Sequence, residues 1–115
     1  MRDSGTHAEV SQALQPILEK KATIAALTTQ LADRQRAVQQ VSDDEQRVRE
    51  NLGALKGTAE EKQLVKRYTD QLTSAEDRIA ALHREQADVE AALAQARSEL
   101  QQLLGQLAID VTLDD

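Results

Sequence analysis

A seven-residue apolar repeat runs along this chain to a glycine-bracketed segment and resumes beyond it, and little but a helical hairpin satisfies such a pattern. On the N-terminal arm the repeat reads Val10, Ala13, Ile17, Lys20, Ile24, Leu27, Leu31, Arg34, Val38, Val41, Glu45, Val48, Leu52 and Leu55. On the C-terminal arm it reads Val65, Tyr68, Leu72, Ala75, Ile79, Leu82, Gln86, Val89, Leu93, Ala96, Leu100, Leu103 and Leu107. The steps alternate between three and four residues, the spacing that keeps one helix face against a partner helix. Between the arms lies Gly53-Ala54-Leu55-Lys56-Gly57-Thr58. The expected fold is all-α: a long antiparallel two-helix coiled-coil hairpin.

Composition agrees with narrow seams rather than a globular core. The 115 residues include no Phe or Trp and one Tyr, so the large side chains that dominate ordinary cores are nearly missing. Apolar content comes from Ala, Leu, Val and Ile, and mean hydropathy is −0.56. No stretch is apolar enough for a transmembrane helix, and no signal peptide is visible. With no cysteine, disulfides and thiolate metal sites are excluded, which suits cytoplasm and periplasm equally.

Local signals place the elements. Residues 1–5 read as a flexible leader and 6–108 as the hairpin, with arm one at about 6–52, a turn at 53–58 and arm two at about 59–104. Thr6-His7-Ala8-Glu9 and Thr58-Ala59-Glu60-Glu61 both match the capping box that opens a helix. Pro16 implies either a kinked continuous helix or a fresh start with Pro16 in its first turn. Gly105 is the first residue of weak helix propensity on arm two. Beyond it, the tail at 109–115 alternates apolar Ile109, Val111 and Leu113 with polar neighbours, which favours a short strand.

If the chain folds back with Val48 opposite Val65, facing residue numbers total 113 throughout. That register matches apolar positions along the whole hairpin and sets each polar seam residue against an apolar one: Lys20 on Leu93, Arg34 on Ile79, Gln86 on Leu27. Tyr68 faces Glu45 and is placed to bond it. Lys20 and Lys21 then reach Glu90, and Arg34 reaches Glu76. Long polar side chains on a half-open seam snorkel to water. Off the seam, Leu14, Leu18, Leu104 and Ile109 cluster at the open end, and the base is expected to pack on a second copy or on the rest of a larger protein.

No catalytic constellation is legible, and no cofactor is expected. His7 and His83 lack the companions a metal site needs. Asp43-Asp44 and Glu60-Glu61 are sequence neighbours that point to different helix faces. Gly53 and Gly57 lack the Gly-Lys-Ser/Thr ending of a phosphate loop. A two-helix hairpin also offers no concave pocket for a small molecule. The net charge of −6 argues against nucleic acid, and residues 43–67 carry six acids and six bases.

Around the turn the sequence is more distinctive. Asp44-Glu45-Gln46-Arg47-Val48-Arg49-Glu50-Asn51-Leu52, the short glycine turn, Leu64-Val65-Lys66-Arg67-Tyr68, Gln71-Leu72 and Glu76-Asp77-Arg78 resemble one known pattern. It is the C-terminal helical hairpin of the mucoidy-inhibitor-like family, large bacterial proteins of unknown function. The resemblance covers Leu14 to Leu107 and is most specific between Asp44 and Arg78. It implies a hairpin appended to a β-rich body, and it carries no activity with it. The expected function is a non-enzymatic structural or protein-interaction module that forms homo-oligomers through its base, with no membrane insertion. The alternative is a nucleic-acid-contacting arm using Arg47, Arg49, Lys62, Lys66 and Arg67 near the turn.

Overall fold

The computed structural model describes the backbone of residues 2–113 and the side chains of residues 9–109. Its elements are α1 (Arg2–Gly53), a 3-10 turn (Ala59–Glu61) and α2 (Lys62–Leu113), a two-helix hairpin with no strand among the described residues. The chain divides into two compact units. One, the terminal unit, holds residues 1–30 and 89–115, and the other, the turn unit, holds residues 31–88.

In the terminal unit Ile17, Val89, Leu93 and Ala96 are buried, and Ala13, Lys20, Ile24, Leu27, Leu100, Leu103 and Leu107 are half-buried. Val10, at the start of the repeat, is 37% exposed. In the turn unit Leu82 is the one fully buried large side chain among the described residues. Leu31, Val38, Val41, Val48, Leu52, Leu55, Val65, Tyr68, Leu72, Ala75 and Ile79 are half-buried, with Arg34, Glu45 and Gln86 between them. Half-burial is what a two-stranded seam provides, since each side chain meets one partner helix and leaves one flank toward water.

Three local readings are corrected, and the alternative left open at Pro16 is decided. The helix does not wait for Thr6: α1 is helical from Arg2. The Thr6 capping side chain lies outside the described residues. Of the two readings of Pro16, the helix runs continuously through it. The missing amide leaves only the carbonyl of Gln12 without its intrahelical donor, and that residue is exposed, so water can supply the bond. The second correction is at Gly105, which sits inside α2, and the helix continues to Leu113. Extending an existing helix adds one hydrogen bond per residue fixed, whereas a lone five-residue strand finds no ladder.

The third correction is the register. In the terminal unit Lys20 pairs with Glu99, and in the turn unit Arg34 Nε lies 3.6 Å from Glu85 Oε2. The residue numbers of both pairs total 119. Under the expected register Glu99 would sit six residues, about 9 Å, beyond the level of Lys20, and Glu85 as far beyond Arg34. The observed pairs move the facing residues by one heptad, so seam positions meet at a total of 120. Lys20 is level with Leu100 instead of Leu93, and Val41 with Ile79 instead of Leu72. Arg34 and Gln86, expected to face apolar residues separately, fall in one polar layer of the turn unit. That layer explains the preference: two polar groups share one level, and the arginine gains a carboxylate.

Candidate functional site

The seam divides each helix surface into two flanks, and in the terminal unit they differ in chemistry. One flank carries the residue that precedes each seam position of α2, such as Glu99 before Leu100. The Glu99 carboxylate accepts a hydrogen bond from Lys20 Nζ and another from Gln95 Nε2 at 3.0 Å. The Lys20 bond, the Gln95 bond and the lysine's charge hold its carboxyl below the ordinary carboxylate range. Gln102 and Gln106 line the same shallow groove as this pair. This flank is wet and hydrogen-bonded.

The opposite flank is apolar. Leu14 on α1 and Leu104 on α2 each follow a seam residue by one position, which turns both to the side away from Glu99. Leu18, one turn beyond Leu14, shares that side. Leu14 is 37% exposed, Leu18 58% and Leu104 42%. Ile109 is 56% exposed but belongs elsewhere. Five residues on from Leu104, it is rotated by about 140° and points to the back of α2. Of the four off-seam residues picked from the sequence, three therefore form one surface. Lys21 and Arg97 follow on the same flank, and among the described residues neither is paired with an acid, so the expected Lys21–Glu90 contact is not made.

In the turn unit the flanks are held by charge. Arg49 Nη2 bridges Glu45 Oε1 at 2.8 Å and Glu76 Oε1 at 3.4 Å. The Glu45 side chain is 11% exposed, and it bonds Arg49 rather than the expected Tyr68. Facing the small side chain of Ala75, it has room to turn toward the arginine. Sequence reasoning missed Glu85 and Glu99 as partners and assigned Glu76 to Arg34 rather than Arg49. The available signal was their place on the flanks, one position before or after a seam residue.

At the turn the backbone reverses through Gly57, whose φ of 75° is a left-handed conformation suited to glycine. The Glu61 carboxylate closes the loop. Its Oε1 accepts the Thr58 hydroxyl at 2.8 Å and the Thr58 amide at 3.3 Å, and its Oε2 accepts the Lys56 amide at 3.2 Å. The Thr58 hydroxyl, followed by the Lys56 amide, lowers the Glu61 pKa from its ordinary value. Of the five basic residues singled out near the turn, Arg47 is tied to Asp44 and Arg49 to Glu45 and Glu76. Lys62, Lys66 and Arg67 carry no ion pair among the described residues. Lys66 and Arg67 border an open groove with Asp70 and Gln71.

His83 is exposed, and among the described residues no group of three or more His, Asp or Glu side chains is arranged to hold a metal ion. Nor is any described helix long and apolar enough to cross a membrane. No protein-family model matches this chain, and no curated protein or solved structure is detectably similar to it.

Proposed function

We propose that this chain is a non-enzymatic structural and protein-interaction module, the helical arm of a larger bacterial protein of the mucoidy-inhibitor-like kind, which self-associates through the terminal unit. The observation that carries the reading is the flank formed by Leu14, Leu18 and Leu104, exposed together on a helix pair that is polar on its other side. A fully buried leucine contributes about 1.5–3 kcal/mol, so covering three half-exposed ones on each of two copies contributes about 4–8 kcal/mol. Association itself costs about 4–15 kcal/mol, so these leucines support a weak, concentration-dependent dimer rather than an obligate one. Sedimentation equilibrium of the wild type against Leu14→Glu/Leu18→Glu tests this. The wild type dimerises as concentration rises and the double variant remains a monomer. A wild type that stays monomeric at high micromolar concentration refutes self-association.

A second reading, contact with nucleic acid, is favoured by one observation: Lys62, Lys66 and Arg67 are cations without acidic partners on the turn unit. It ranks lower because phosphate binding needs positive charge in excess, and the chain's net charge is −6. An RNA gel shift separates the readings, since a nucleic-acid arm binds tightly at low salt and releases as salt rises.

A further inference from the structure

The apolar seam of the turn unit fits two registers, and only one is observed. As observed, Val41 is level with Ile79 and Val48 with Leu72. One heptad away, Val41 would meet Leu72 and Val48 would meet Val65, again apolar on apolar. Hydrophobic burial is non-directional and scales with area, so it barely distinguishes these two layers. The apolar cost of slipping falls at the turn end, where Leu52 and Leu55, half-buried as observed, would be level with Glu61 and Thr58.

The flanking charges do distinguish the two registers. A slip of one heptad replaces every cross-helix partner by the residue seven positions earlier on α2. Arg34 now lies 3.6 Å from Glu85 and would meet Arg78. Arg49 now lies 3.4 Å from Glu76 and would meet Thr69. One attraction becomes a repulsion and the other is lost. The turn is compatible with both states. In the observed register Gly53 is level with Arg67, so 54–58 runs alongside the first turns of α2. In the slipped one Gly53 is level with Glu60, and the two helix ends meet at the loop.

We propose that the charges on these flanks choose the register of the turn unit, and that the chain holds a latent second register one heptad away, reached by sliding one helix about 10 Å along the other. Arg34, Arg49, Glu76 and Glu85 are the selecting residues, and Arg78 is the guard against slipping. Isolated polar residues in coiled coils are suited to this role, because a wrong pairing leaves them beside like charge or without a partner. α1 and α2 are each unbroken from the turn unit into the terminal unit. A slide would therefore also exchange the Glu99 partner of Lys20 for Ala92, a further loss for the slipped register.

The test exchanges the two α2 charges that Arg34 discriminates. Arg78→Glu/Glu85→Arg keeps composition and net charge and places the attraction in the slipped register. Two reporters read the outcome in dilute protein: cysteines at Val41 and Ile79 for the observed register, and at Val41 and Leu72 for the slipped one. In the wild-type background the Val41/Ile79 pair forms the faster intrachain disulfide. In the exchanged background the ratio of rates shifts toward Val41/Leu72 by about tenfold, the scale of one to two exposed ion pairs. Arg78→Glu alone alters one exposed side chain and keeps Glu85, so it gives both disulfides even if the double exchange folds poorly. Val41/Ile79 dominating unchanged in all three backgrounds overturns the proposal, as does Val41/Leu72 dominating in the wild type.

Discussion

Truncating Leu82 is the most direct probe of what holds the turn unit together. Its side chain is 1% exposed, and no other large side chain among the described residues is buried so fully. Leu82→Ala removes roughly three carbon groups at about 0.8 kcal/mol each, a transfer loss of about 2.5 kcal/mol. Leucine-to-alanine changes in closed cores cost about 2–5 kcal/mol because a cavity remains. Here the seam is only two helices wide, and its neighbours can settle toward the gap, so the expected cost is about 2–3 kcal/mol. Leu18→Ala is the control: the side chain is 58% exposed, and the expected change is within about 0.5 kcal/mol. Urea unfolding followed by far-ultraviolet circular dichroism measures both, at one low protein concentration because association shifts apparent stability. The midpoint should fall for Leu82→Ala with little change in slope. A loss below about 1 kcal/mol, or equal losses for both variants, would mean that the seam is not the source of stability.

Two glycines should respond to alanine in opposite directions. At either position an added Cβ would meet nothing within 4 Å, so the difference is purely one of backbone. Gly57→Ala forces an L-residue to a φ of 75° and costs about 1–2 kcal/mol, whereas Gly105→Ala, inside α2, gains about 0.5–1 kcal/mol; thermal melts that move both the same way would contradict this. Acid should weaken the fold through Glu61 and Glu99, whose carboxyls lie below their ordinary value in the folded state. Such a group contributes in full above its unfolded pKa, and the contribution is lost as pH falls from the ordinary value of 4.5 through the lowered one. Glu61→Gln/Glu99→Gln therefore flattens the acid limb of a melting-temperature profile, and a double variant with the wild-type limb would show that other carboxylates set it.

Helix positions that leave solvent were readable in the sequence because a heptad is a local pattern. From Ala13 to Leu107 every residue picked out by the repeat is buried or half-buried. The register was not readable from the same pattern. An unbroken heptad maps onto itself after seven residues, so matching apolar positions cannot tell a total of 113 from 120. The decision lies with residues such as Arg34 and Glu85, whose flank positions gain meaning only once both registers are compared for charge. The tail misled for a related reason. Five residues of alternation at 109–113 cannot outweigh a helix already running from Lys62, because continuing it needs no new nucleus.

The departures from the repeat are consequently where this chain differs from any other hairpin with the same seam. Leucines at every seam position would give a more stable pair of helices but would remove the polar layer that marks the register. Lys20 and Arg34 interrupt the seam, and each is answered by a glutamate just before the facing seam position, Glu99 in one unit and Glu85 in the other. Leu14, Leu18 and Leu104 break the opposite rule, placing apolar side chains where the seam does not need them. Polar groups on the seam specify how the helices meet, and apolar groups off it are available to something else. Exchanging these features separately should therefore separate the outcomes in one direction: Leu14→Glu/Leu18→Glu abolishes self-association without moving the disulfide preference, whereas the charge swap moves the disulfide preference and, by sliding α2 along α1, carries Leu104 away from Leu14 and Leu18.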